Sequence, residues 1–107
     1  MRKLVTGALI AAVMLLSMAT FAMEAVTVIQ KGRVFSVKEV TVPRGGAVNF
    51  TNEDDFAHQL NVHGPNMDLD SDMQAQGQTI SVPFPNTGKF QVRCGIHPRM
   101  HLTVQVE

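Results

Sequence analysis

The chain has 107 residues, nine Lys/Arg, nine Asp/Glu and a single cysteine, which is enough for one small domain and too little for two. Charge this balanced excludes the basic footprint of a nucleic-acid-binding protein, and one cysteine excludes an internal disulfide. A core this small is marginal, so a bound metal could add useful stability.

Residues 1–22 read as a signal peptide: Arg2 and Lys3 form the basic start, residues 4–16 the apolar stretch, and Thr20 and Ala22 the small residues before a cut after Ala22. The apolar stretch is softened by Thr6, Gly7, Ser17 and Thr20, which favours cleavage over a retained membrane span. Residues 23–107 are then an exported, periplasmic domain with no membrane span. In that domain short Val-, Ile-, Thr- and Phe-rich runs alternate with polar residues between Gly, Pro and Asn, and no stretch sustains a 3.6-residue period. An all-β sandwich of about seven strands is predicted, at 26–30, 34–42, 47–51, 56–62, 78–82, 89–94 and 102–106. The stretch 63–77 is expected to be irregular. Glu53, Asp54 and Asp55, and Asp68, Asp70 and Asp72, read as ordinary solvated acidic loops.

The chemistry concentrates in Cys94-Gly95-Ile96-His97-Pro98-Arg99-Met100, where a thiol, an imidazole and a thioether recur at three-residue intervals. An unpaired thiol in an exported chain calls for a role, and this donor set favours copper. One Cys, two His and a weak axial Met make a blue-copper centre. Strand alternation selects the missing donor. His58 shares a face with Phe56, Leu60 and Val62 and points inward, whereas His63 falls on the other face. Phe90, Val92 and Cys94 form the inward series of the sixth run. Running the Leu102, Val104, Val106 parity backwards selects Met100 over His101. The predicted site is therefore His58, Cys94, His97 and Met100, holding one copper ion per chain. No position is left open for substrate, which disfavours catalysis at the metal.

With these residues in view, the chain resembles the cupredoxins, the small blue-copper proteins, across the whole of residues 23–107, and its Cys-x-x-His-Pro-x-Met loop is most similar to the amicyanin branch. The resemblance rests on Cys94, His97, Pro98, Met100, His58 and Asn52. It implies a Greek-key β-sandwich with copper near one end. It also implies one-electron transfer by a monomer to exported redox proteins, such as a c-type cytochrome or a periplasmic dehydrogenase or oxidase. Amicyanins and plastocyanins carry Asn directly after the first copper His, where this chain has Gln59.

Two other readings compete. In copper storage or delivery, Met67, Met73 and His63 would form an additional Cu(I)-catching set. In an open, non-blue copper site, His101 would replace Met100. Calcium at Asp68, Asp70 and Asp72 fails the EF-hand pattern, because Met73 and Thr79 stand where Gly and Glu are required. Structural zinc is disfavoured because Met is not one of its usual ligands. Around the loop histidine, Gly95, Ile96, Pro98, Pro65 and Met67 are expected to frame an apolar electron exit, with Arg99 able to steer a partner.

Overall fold

The computed structural model describes residues 25–107, so the predicted signal peptide and its cleavage point lie outside the described residues. Nine strands occur among them: β1 Val26–Lys31, β2 Val34–Phe35, β3 Glu39–Val42, β4 Ala47–Asn52, β5 Leu60–Gly64, β6 Met67–Asp70, β7 Thr79–Pro83, β8 Gly88–Cys94 and β9 His101–Val106. They form two sheets, ordered β2-β1-β4-β7 and β3-β9-β8-β5-β6. The β1/β4 and β3/β9 pairs are parallel and the remaining ladders antiparallel, as in a Greek-key sandwich. No helix among the described residues is long and apolar enough to cross a membrane.

The sheets meet through the alternating residues that the sequence marks as apolar. Val28, Val48, Phe50 and Val82 face Leu60, Val62, Phe90, Val92, Leu102, Val104 and Val106, and all are buried. Each such side chain contributes on the order of 1.5–3 kcal/mol when removed from water. Edge-to-face rings bind the layer further: Phe35 lies 6.0 Å from Phe50, and Phe84 lies 5.3 Å from Phe90. The ring of Phe90 crosses directly over Gly64, where a Cβ would collide with it.

The structure departs from the sequence reading in three places. The run 34–42 is two strands in different sheets. Ser36 closes the β1–β2 hairpin by exchanging hydrogen bonds with Ile29 (2.8 and 2.9 Å), after which the chain crosses to place β3 beside β9. The run 56–62 becomes a strand only at Leu60. His58 is held earlier, by a two-bond bridge with Gln74 (3.1 and 2.7 Å). The stretch 63–77 contains β6, an edge strand hairpinned to β5. Its four residues, Met67 to Asp70, do alternate, but the run is short, largely exposed and set in an acidic stretch, so it does not stand out as a strand.

Candidate metal centre

Leu60 pairs with Cys94, and Arg93 pairs with His101. The segment before β5, the end of β8 and the start of β9 therefore converge at one end of the sandwich. There Cys94 Sγ lies 3.6 Å from His58 Nδ1 and 3.6 Å from His97 Nδ1, and the two Nδ1 atoms are 3.2 Å apart. His58 and Cys94 are buried and His97 is half-buried. A point equidistant from these three atoms lies about 2.0 Å from each, within the usual range for a first-row metal bound by imidazole and thiolate. The donors thus fit one copper ion without rearrangement.

The loop that carries Cys94 and His97 is braced from inside. Met100 N–H donates to His97 O (2.9 Å), and Cys94 N–H donates to Met100 O (3.4 Å). Met100 is 1% exposed, in the core beneath the loop. His101 is exposed on the outward face of β9, with its ring against Gln91 of β8. Strand parity thus reads the opposite facings of these neighbours correctly.

Gln59 ties the segment before β5 to the ligand loop through its main chain. Its N–H donates to Cys94 Sγ (3.4 Å) and its carbonyl accepts from Gly95 N–H (3.1 Å). A hydrogen bond to the sulfur draws charge from the thiolate and tunes its metal bond. The longer Gln59 side chain reaches away to Ser71 O (2.9 Å). Its amide oxygen occupies the space that a Cβ on Gly95 would need.

The far nitrogen of His58 has a partner that sequence reasoning missed. His58 Nε2 lies 2.7 Å from Asp54 Oδ2, and Asp54 is 7% exposed, so the acidic run is not uniformly solvated. The Asp54 carboxylate also accepts from Gly32 N–H (2.7 Å) and Arg33 N–H (3.3 Å), which are the turn of the β1–β2 hairpin. Asp54 N–H in turn donates to Asn52 Oδ1 (2.9 Å), whose amide holds Phe56 O and Gln74 O. Burial pushes the Asp54 carboxyl up. The Gly32 N–H bond, with His58 and the Arg33 N–H, more than offsets it and holds the group below the usual carboxylate value. Burial first, then the positive charges of His58 and Arg33, push His97 below the ordinary histidine value, so its neutral, metal-binding form is favoured. The available signal for Asp54 is its place four residues before the inward histidine.

The other predicted donors lie elsewhere. His63 is exposed and pairs with Asp68 at 2.8 Å. It stands opposite Asp68 in the β5–β6 ladder while Met67 stands opposite Gly64, so His63 and Met67 take opposite faces. Met67 packs on the core and Met73 is exposed. The expected exit frame is also revised. A cleft of about 450 Å³ beside His97 is lined by Ile96, Pro98 and Arg99 from the ligand loop and by Gly32, Arg33 and Val34 from the first hairpin. Met67 lies instead in a separate depression with Leu69, Pro83 and Pro85, and Pro65 packs against Gly88.

A two-sheet sandwich with one thiolate and two imidazoles at its loop end is the architecture of a mononuclear copper protein whose donors are mostly closed off from solvent. Residues 22–107 match the copper binding proteins of the plastocyanin/azurin family, and the chain belongs to that family. It is 37% identical over 78 residues to amicyanin-alpha of Methylorubrum extorquens, covering 68% of this chain and 64% of that protein. This chain therefore spans less than two thirds of that relative's length. Among solved structures, a copper(I) amicyanin variant superposes with a TM-score of 0.72 at 23% identity, over 78% of this chain and 82% of that one. The purple cupredoxin of Nitrosopumilus maritimus gives 0.67 at 20%, over 77% and 99%. The copper-containing nitrite reductase of Thermus scotoductus SA-01 gives 0.70 at 28% identity, over 78% of this chain and only 22% of that one.

Proposed function

We propose that the protein is an exported, periplasmic one-electron carrier with a blue-copper centre at His58, Cys94, His97 and Met100. The observation that carries this reading is the triangle of His58 Nδ1, Cys94 Sγ and His97 Nδ1, with edges of 3.2 to 3.6 Å. Bound copper supplies reversible cycling between Cu(I) and Cu(II). Burial of Met100 beneath the loop, against the outward facing of His101, favours Met100 over His101 as the residue that would complete the donor set. Two imidazoles and a thiolate held at fixed separations keep the reorganisation at each electron transfer small. Asp54 fixes the ring of His58 and keeps its Nδ1 free for the metal.

His97 is half-buried and lines the exterior cleft, so its ring is the route by which an electron leaves. The partner is a second exported redox protein, such as a c-type cytochrome or a periplasmic dehydrogenase or oxidase. The basic and apolar start of the sequence supports export. The test is a visible spectrum after Cu(II) is added to the reduced protein, repeated with Cys94→Ser. An intense charge-transfer band that the substitution abolishes is expected. A pale spectrum from the unmutated protein would overturn the reading. Voltammetry separates carrier from delivery protein, since a carrier cycles reversibly and keeps its copper while a delivery protein releases it on reduction.

A further inference from the structure

Resting on the electron-carrier reading, we infer that the cleft beside His97 docks a redox protein whose electron-transfer face is rimmed with carboxylates, and that Arg33 of the first hairpin and Arg99 of the ligand loop are its recognition residues. The two arginines line the same cleft as His97 but come from opposite ends of the sequence. Neither is in ion-pair contact with a carboxylate among the described residues. Asp54, which accepts from the Arg33 N–H, is committed to His58 Nε2 and to the main-chain N–H groups of Gly32 and Arg33. Glu53 and Asp55 are exposed but stand outside the lining. The cleft thus presents two cations with their counter-charge missing.

Arg33 is held in place for this role. Its guanidinium sits over the ring of Phe56, with Cζ 4.9 Å from the centroid. The same ring meets His97 and His58 edge-on, each at 5.3 Å. Arg33 also occupies the second central position of its turn at φ 59°, after Gly32 at φ 66°, where Gly or Asn is the unstrained choice. The Asp54 bonds to both turn N–H groups stabilise that conformation and aim the arginine at the metal end. A side chain ordered in advance loses less freedom when a partner binds.

The chemistry of the cleft selects a protein rather than a small anion. The same cleft is lined by Val34 and Ile96, 56% and 46% exposed, together with Pro98. A small anion would neutralise the cations and leave this apolar surface wet. A protein face with an apolar centre and an acidic rim covers both.

The test uses the copper-loaded protein and probes of opposite charge. Oxidation of its Cu(I) form is followed by stopped flow with hexacyanoferrate(III) and with tris(1,10-phenanthroline)cobalt(III), for the unmutated protein and for the Arg33→Glu, Arg99→Glu double variant. The expected result is a tenfold or greater slowing with the anionic oxidant and an acceleration with the cationic one, both fading at high salt. In parallel, a hexaglutamate peptide should shift the amide resonances of Val34, Ile96 and Arg99, and hexalysine should not. If the charge-reversed protein misfolds, Arg33→Gln with Arg99→Gln gives a smaller change in the same direction. Rates that ignore the substitutions, or peptide shifts centred on Met67 and Leu69, overturn the docking inference while leaving the carrier intact. Failure of the Cu(I) protein to react with either oxidant overturns the carrier reading itself.

Discussion

Replacing Asp54 by Asn removes one negative charge beside a copper ligand while conserving shape, and its main effect should be on reduction potential. The Asp54 carboxylate touches His58 Nε2 at 2.7 Å. One imidazole ring then separates it from the centre of the donor triangle, a span of roughly 6.5 Å. At an effective dielectric of about 20, a unit charge at that distance favours Cu(II) over Cu(I) by about 2.5 kcal/mol. Solvent reaching the half-buried His97 side reduces this to about 1–2 kcal/mol. A tenfold change in a one-electron equilibrium is about 59 mV, so Asp54→Asn should raise the midpoint potential by about 45–85 mV. Voltammetry at pH 7 measures it, with the visible spectrum confirming that the ligands are unchanged. Stability alone would not isolate the effect, because Asn also satisfies the Gly32 and Arg33 N–H groups less well than a carboxylate does. A potential that moves by less than about 20 mV, or moves downward, would refute the assignment of Asp54 as a charge acting on the metal.

Gly64→Ala places a methyl group against the fully buried ring of Phe90; overpacking of about 1–3 kcal/mol should lower the melting temperature by several degrees without moving the blue band. Met100→Leu should change the spectrum and raise the potential, whereas His101→Gln should leave both unaltered; the opposite pattern would make His101 the axial donor. In the metal-free protein, His97 and Asp54 are both depressed on folding, so each favours folding above its unfolded value. That stability is lost as pH falls, through the window below 6.5 for His97 and below 3.8 for Asp54. Melting temperatures recorded from pH 7 to pH 3 should fall in both windows, and Asp54→Asn should flatten only the more acidic one.

The cluster of His58, Cys94 and His97, and the inward facing of Met100, were legible because they obey local rules. Cys94, His97 and Met100 sit on one short loop, and a two-residue alternation fixes which side of a strand each neighbour faces. That rule placed His58 and Cys94 inside and His63 and His101 outside, as the structure has them. It did so for His58 although the regular strand begins only at Leu60, because the Gln74 bridge keeps the backbone extended there. β6 escapes notice because its alternation spans only four residues, at a sheet edge and within an acidic stretch. Residues 34–42 read as one run although the apolar set changes phase across Lys38-Glu39, from Phe35 and Val37 to Val40 and Val42, and that slip is the local signal of the division between two sheets.

What no local rule could reach is the approach of the first hairpin to the metal end. Asp54 and Arg33 are 21 positions apart, and each alone reads as a solvated surface charge. The parallel pairing of β1 with β4 carries Gln30 to Asn52 and so sets the Gly32–Arg33 turn beside the loop that follows β4. In that position the main chain of the turn, with His58, satisfies the Asp54 carboxylate by hydrogen bonding, which leaves the Arg33 side chain exposed and without an ion-pair partner among the described residues. One carboxylate consequently serves two ends of the same device, orienting His58 on the inner side and supporting a partner-facing cation on the outer. A coupling of this kind makes a joint prediction: Asp54→Asn should weaken hexaglutamate binding as well as raise the potential. Arg33→Gln should weaken peptide binding and shift the potential only slightly, and downward, because the Arg33 charge reaches His97 but is exposed and largely screened. A large potential change from Arg33→Gln would show instead that the arginine acts on the copper directly, and the division of labour between the two faces of the turn would fall.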